Sequence, residues 1–194
     1  MNRTGSLARK TGETDIFVSL DLDGEGVSQI DTGIGFFDHM LSAVAKHGLM
    51  DLTVRVQGDL AVDGHHTVED TGIVLGAALA QALGDKKGIR RVGSCFLPMD
   101  ESLAFCALDI SGRPYLAFDA AFPAEMCGGY ASELTEEFFR AVSVSSGITL
   151  HLKAEGRNTH HMIEALYKAF ARALRDAAAL DPRVKGVPST KGVL

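Results

Sequence analysis

His65-His66-Thr67-Val68-Glu69 and His160-His161-Met162-Ile163-Glu164 spell the same pattern, H-H-x-x-E, at two distant places in the chain. Chance repetition of so specific a run in a short sequence is very improbable, so the chain reads as an internal duplication. Working outward brings more into register. Phe36-Phe37 opens an amphipathic stretch reaching about Lys46, with Met40, Leu41 and Val44 at helical spacing. Phe138-Phe139 does the same after Ser132, with Leu134 and Val142 on one face. Each stretch leads through a glycine-containing turn into an alternating segment, Leu52–Val56 or Ile148–Leu152, closed by Gly58 or Gly156. A short loop follows, and H-H-x-x-E opens a long helix, predicted over Thr67–Leu83 and His160–Leu180. Upstream, strands are predicted at Asp15–Leu22 and Val27–Ile30, and again at Cys95–Ile110 (interrupted near Pro98) and Tyr115–Ala121.

The order strand-strand-helix-strand-helix, met twice, predicts an α+β protein. Its two βαβα-type halves each form a mostly antiparallel sheet with helices on one face, and together make one compact unit. The halves cover residues 1–87 and 88–180, with the joint in Gly84-Asp85-Lys86-Lys87-Gly88. The tail, 181–194, carries two prolines and two glycines and reads by composition as a flexible end.

The 194 residues are 46% apolar and 23% charged, ordinary for a globular chain and enough to bury a core. Net charge is −6, and no basic run exceeds two residues, which argues against nucleic acid or an anionic membrane as partner. No apolar run approaches the ~18–20 residues of a bilayer span. The opening Met1-Asn2-Arg3-Thr4-Gly5 lacks the apolar region of a signal peptide, so a cytoplasmic protein is expected. Cys95, Cys106 and Cys127 are odd in number and outside any C-x-x-C pattern, which fits buried thiols in a reducing compartment.

Neighbours on a helix point about 100° apart, whereas i,i+3 and i,i+4 residues share a face. Adjacent histidines therefore suit two separate ions, with Glu69 or Glu164 joining one of each pair. Solvated or capping histidines would explain one such pair but not two in matching positions. On the second long helix, Ile163, Leu166, Phe170 and Leu174 take the core side, while His160, Glu164 and Lys168 step along a polar side expected to lie outside the core. On the preceding strand, Ile148, Leu150 and Leu152 take the apolar face and leave His151 opposite, as a candidate ligand. His39 follows Asp38 off the Met40–Val44 face and joins the set. His47, beside Gly48 at a helix end, reads as a C-terminal cap.

His39, His65, His66, His151, His160 and His161 with Glu69 and Glu164 then supply two ions with four protein ligands each. Imidazole and carboxylate donors without thiolate suit manganese, iron or zinc, and two open octahedral positions suit catalysis. Near-symmetry groups His39, His66, Glu69 and His160 on one ion, and His65, His151, His161 and Glu164 on the other.

Over about Arg9 to Leu194 the chain resembles the imidazoleglycerol-phosphate dehydratases of histidine biosynthesis. The resemblance rests on Arg9-Lys10-Thr11-Gly12-Glu13-Thr14, Gly35-Phe36-Phe37-Asp38-His39-Met40-Leu41 and the two H-H-x-x-E runs. It rests also on Pro98-Met99-Asp100-Glu101, Ser111-Gly112-Arg113-Pro114, Glu136-Glu137-Phe138-Phe139-Arg140 and Pro188-Ser189-Thr190-Lys191-Gly192. It implies two manganese ions per chain and a homo-oligomer, a 24-subunit shell built from trimers. No phosphatase domain precedes the repeat, so the single-activity form is expected rather than the bifunctional form of some bacteria. Tyr167 stands where the second motif is expected to carry Phe.

The implied reaction converts D-erythro-imidazole-glycerol phosphate to imidazole-acetol phosphate and water. The hydrogen removed is not beside a carbonyl, so the imidazole ring is the substrate's only electron reservoir. Two metals flanking that ring would stabilise an imidazolate able to expel the neighbouring hydroxyl, through a diazafulvene-like intermediate. For the phosphate, the resemblance points to Arg91, Arg113, Lys168, Ser189 and Lys191. Arg91 is chosen over Arg90 from the G-I-x-R-x-G pattern, and Lys168 gains support from its place two turns beyond His160 on the ligand side. Composition alone reads the segment around Glu13 as a solvated end. The resemblance makes Glu13 the catalytic base, because ligated imidazoles and carboxylates have given their lone pairs to the ions. The tail is expected to close over the phosphate. Two other readings stand beside this one: a two-metal hydrolase, whose sites are usually richer in aspartate, and a non-catalytic shell protein whose ions only join subunits.

Overall fold

The computed structural model describes residues 3–194; Met1 and Asn2, where the sequence places the start of the first half, lie outside the described residues. The first half runs β1 (Thr4–Lys10), β2 (Thr14–Asp21), β3 (Ser28–Asp31), α1 (Gly35–Gly48), β4 (Asp51–Gly58) and α2 (His65–Leu83). The second runs β5 (Val92–Met99), β6 (Ser102–Asp109), β7 (Tyr115–Ala120), a small hairpin β8 (Met126–Cys127) and β9 (Tyr130–Ala131), α3 (Leu134–Ser146), β10 (Thr149–Glu155) and α4 (Thr159–Ala178). The two four-stranded sheets have matching orders, β1-β2-β4-β3 and β5-β6-β10-β7. Only the last pair in each is parallel, because a helix crosses over between its strands. The halves are similar, the class is α+β, and no helix among the described residues is long and apolar enough to cross a membrane.

Register fixes the repeat residue by residue. Gly5 faces Leu20 and Leu20 faces Leu52; Gly93 faces Leu108 and Leu108 faces Leu150. At Gly5 a Cβ would lie 1.9 Å from the Ala78 carbonyl oxygen of α2, and at Gly93 2.0 Å from that of Ala173 in α4. Each N-terminal hairpin thus lies directly on the backbone of its H-H-x-x-E helix, and only glycine permits that approach.

The helices of the two halves pack across one another, α1 against α4 and α2 against α3. Helices α2 and α4 are accordingly buried nearly all round. Aromatic rings join the halves at the centre: Phe37 meets Phe138 edge-on at 5.4 Å, and Tyr167 stacks on Phe138 at 5.1 Å. Tyr167 is fully buried, and its hydroxyl lies 3.2 Å from that of Tyr130, which donates to Thr135 Oγ1 at 3.3 Å. A tyrosine there therefore has a polar partner.

Several boundaries differ from those read in the sequence. Each half contributes three strands of its four-stranded sheet before its first helix, not two, and the second half adds the β8–β9 hairpin. The strand β1 is hidden in the sequence because its one fully buried position is a glycine and its outward positions, Ala8 apart, are polar, as befits an edge. The predicted strand Cys95–Ile110 is two strands, turning at Asp100-Glu101, where Asp100 has φ 49°. Pro98 sits within β5, an edge strand that tolerates it. Helix α1 runs through Gly48 and ends with Leu49 in the left-handed region, so His47 lies in the last turn, not at the cap. The tail is docked: Asp181 N–H donates to the Gly88 carbonyl, Gly88 N–H to that of Gly186, and Arg91 Nη1 to that of Pro188.

Candidate metal centre

Helix α4 starts at the Asn158 cap, whose side chain accepts from the His161 N–H, and so turns His160 and Glu164 toward α1. Helix α1 supplies His39. One donor atom from each of His39, His160 and Glu164 falls within 4.8 Å of the others, the only such group among the described residues. His160 Nε2 lies 3.1 Å from Glu164 Oε2, and His39 Nε2 lies 3.5 Å from the same oxygen. The other oxygen, Oε1, is 2.6 Å from Lys168 Nζ. Glu164 is 6% exposed, whereas both imidazoles are half open to solvent. Burial works to raise the Glu164 pKa, but the Lys168 ammonium, with His39 and His160, outweighs it and holds the pKa below the usual value. A charged, buried carboxylate with two imidazoles on one oxygen is a donor set suited to a divalent cation.

This grouping differs from the one near-symmetry suggested: Glu164 stands with His39 and His160, not with His65 and His161. Along its stripe Glu164 and Lys168 are covered, with α1 from the other half packed against α4, while His160 stays half open. In the first half, His65 Nε2 is 3.7 Å from Glu69 Oε2, with both side chains 43% exposed. The remaining imidazoles point elsewhere. The rings of His65 and His66 stand at 87° to one another, and those of His160 and His161 at 85°. His151 projects from the face of β10 opposite Leu150 and Leu152, away from the helices, with Tyr115 beside it.

Carboxylates the sequence reading missed hold two of these rings. His66 Nδ1 is 3.0 Å from Asp59 Oδ2, and His161 Nδ1 is 2.8 Å from Glu101 Oε2; each contact raises its imidazole pKa. Asp59 precedes His66 by seven residues across a loop and Glu101 lies 60 residues from His161, so neither pairing follows a helix or strand spacing, although Glu101 closes the Pro98-Met99-Asp100-Glu101 run. Glu13 sits in the β1–β2 turn, 56% exposed, with Oε1 3.8 Å from His66 Nε2. That turn is tied to α2 through buried Asp70, which accepts from Thr14 Oγ1–H at 2.5 Å and forms an ion pair with Arg9 Nη1 at 2.6 Å.

The expected phosphate group divides in two. Arg91 makes a fork on Asp109 at 2.7 and 2.9 Å, Arg113 approaches the same carboxylate at 3.7 Å, and Arg91 also holds the tail one residue before Ser189. Lys168 stands apart with Glu164, and Lys191 is exposed at the tail's end.

A family model described as imidazoleglycerol-phosphate dehydratase matches residues 32–174. The chain is 65% identical over 193 residues to the imidazoleglycerol-phosphate dehydratase of Symbiobacterium thermophilum, covering 99% of this chain and 93% of that one. This chain belongs to the imidazoleglycerol-phosphate dehydratase family. The Acetivibrio thermocellus member is 62% identical over 195 residues, with complete coverage of both chains. Among solved family structures, that from Staphylococcus aureus is 42% identical with a TM-score of 0.84, covering 92% of this chain and 99% of that one. The Pyrococcus furiosus structure is 36% identical with a TM-score of 0.84, covering 97% and 100%. The protein is a dehydratase, a lyase of histidine biosynthesis.

Proposed function

We propose that the chain dehydrates D-erythro-imidazole-glycerol phosphate to imidazole-acetol phosphate and water, using two manganese-class divalent ions per chain. The observation that carries this reading is the convergence of His39, His160 and Glu164 on one point, in a member of a dehydratase family. When bound, the ions supply Lewis-acid polarisation and a flat template for the substrate's imidazole ring. Glu164 and the imidazoles of His39 and His160 hold one ion, and His65 with Glu69 begins the second site. His66, His161 and His151 face away from both groups, which favours donation to neighbouring copies in a homo-oligomer, a 24-subunit shell of trimers.

Glu13 takes the proton from the substrate's C2, since it is a carboxylate beside the ligand set that is not needed as a ligand. Arg91, Arg113, Lys168, Ser189 and Lys191 neutralise and orient the phosphate; arginine does so through a planar fork. The three cysteines are free thiols, in keeping with work in the cytoplasm. The test is a product assay with manganese added and removed. Manganese-dependent formation of a ketone that keeps its phosphate is expected; release of inorganic phosphate would indicate a two-metal hydrolase, and no turnover a shell protein.

A further inference from the structure

The duplication sets an acidic residue at the same point of both N-terminal hairpins. Lys10 pairs with Asp15 and Pro98 with Leu103, with Gly5 and Gly93 as matching fixed points, so Glu13 corresponds to Glu101 and Thr14 to Ser102. The two carboxylates are used differently. Glu13 is open to solvent and makes no side-chain hydrogen bond among the described residues, whereas Glu101 is 24% exposed and engaged at both oxygens. Its Oε1 accepts from Ser102 Oγ at 2.8 Å and from the backbone N–H groups of Arg157 at 3.1 Å and Asn158 at 2.8 Å. Its Oε2 faces His161 Nδ1 at 2.8 Å. Glu101 therefore joins the β5–β6 turn to the start of α4 with one oxygen and holds the His161 ring with the other. The remaining ring nitrogen, Nε2, faces outward with Asp100 Oδ2 at 3.7 Å.

A carboxylate only accepts, and a neutral imidazole carries one hydrogen. The contact thus places that hydrogen on Nδ1 and leaves the lone pair on Nε2, the atom a metal ion needs. We infer that Glu101 is a positioning residue for His161: it fixes the Nδ1–H tautomer and the ring orientation in which Nε2 ligates a divalent ion. Asp59 makes the same contact with His66 Nδ1 at 3.0 Å, although it comes from the loop after β4 and not from a hairpin turn. The two halves have reached one arrangement from different positions, which a fortuitous contact would not do. The inference rests on His161 being a metal ligand, and the experiment separates the two claims.

Glu101→Gln keeps Oε1 as acceptor for Arg157 and Asn158 but offers an N–H to His161 Nδ1, which must then accept, so the ring hydrogen moves to Nε2. Nitrogen-15 histidine spectra of the metal-free chain in alkaline buffer should show His161 with its hydrogen on Nδ1 in the wild type and on Nε2 in the variant. Titration of the metal-free chain with Mn²⁺ alone should show one class of site weakened about 10–100-fold in Glu101→Gln, with partial recovery in Glu101→Asp. In a His161→Ala background, Glu101→Gln should add no further loss. A wild-type Nε2–H tautomer, or unchanged Mn²⁺ affinity in a folded Glu101→Gln chain, overturns the inference. If Glu101→Gln does not fold, the wild-type spectrum decides. If the wild type itself takes up no Mn²⁺, the ligand assignment fails while the tautomer still reports on the hold of Glu101.

Discussion

Lys168 and His160 grip the same carboxylate by different oxygens: Lys168 Nζ lies 2.6 Å from Glu164 Oε1, and His160 Nε2 lies 3.1 Å from Oε2. The ammonium compensates a buried charge and leaves the second oxygen turned toward the imidazoles. Lys168→Met should therefore destabilise the metal-free chain by about 1–2 kcal/mol, since a buried acceptor loses its partner. Lys168→Arg should recover part of that loss. Denaturant unfolding of the metal-free proteins measures both, and wild-type stability in the methionine variant would contradict the pairing.

Metal content distinguishes a site built within one chain from one that needs a neighbour. Full loading should give about two manganese ions per chain, and His39→Ala about one. His151→Ala should also empty one site, and because His151 lies across the sheet from the helical donors, it should loosen assembly as well. Elemental analysis with light scattering reads both quantities. Two filled sites in either variant, or an identical large particle with and without metal, would count against the assignment.

Glu13→Gln preserves shape and hydrogen-bonding capacity while removing the proton acceptor. Turnover should fall at least about 10²-fold, with metal content retained and substrate affinity nearly unchanged. Normal turnover, or loss of metal, would remove Glu13 from the role of base.

The tail makes a separate claim. Ending the chain after Val187 removes the Pro188 carbonyl held by Arg91 at 2.9 Å, together with Ser189 and Lys191. Substrate KM should rise at least about 10-fold while metal content stays intact. Steady-state kinetics of the shortened chain decide this, and wild-type KM and kcat would refute the closing role.

Asp51 gives a pH dependence away from the site. Its Oδ1 accepts the Glu25 and Val27 N–H groups, each at 2.9 Å, and these bonds lower its pKa. A lowered folded-state pKa contributes stability above the unfolded value, about 3.9, that is lost as pH falls through the folded one. Asp51→Asn should therefore lower Tm at neutral pH, and the difference should shrink as pH drops below about 4. A difference that stays constant down to acid pH would show that the charge is not what these bonds depend on.

The repeated H-H-x-x-E made the duplication legible, and helical spacing correctly assigned Ile163, Leu166, Phe170 and Leu174 to the core. The same spacing put Glu164 on one face with His160 but said nothing of what covers that face, because the covering helix α1 comes from the other half. The roles of Glu101, Asp59 and Asp109 were hidden for a related reason: each reaches its partner across a loop or from another element, and no helix or strand spacing encodes such a pairing. The strand β1 escaped because the residue that buries it, Gly5, has no side chain to register as apolar.

The crossing of helices between halves bears on how such a chain arises. A polypeptide of one half's length would present an H-H-x-x-E helix with no α1 equivalent against it, and a sheet covered on one side by helices still lacking their partners. Two identical copies, exchanging helices about a twofold axis, would satisfy both needs at once. Joining them through Gly84–Gly88 turns that encounter between molecules into a step within one, independent of concentration. It also frees the paired positions to diverge, as Glu13 and Glu101 have.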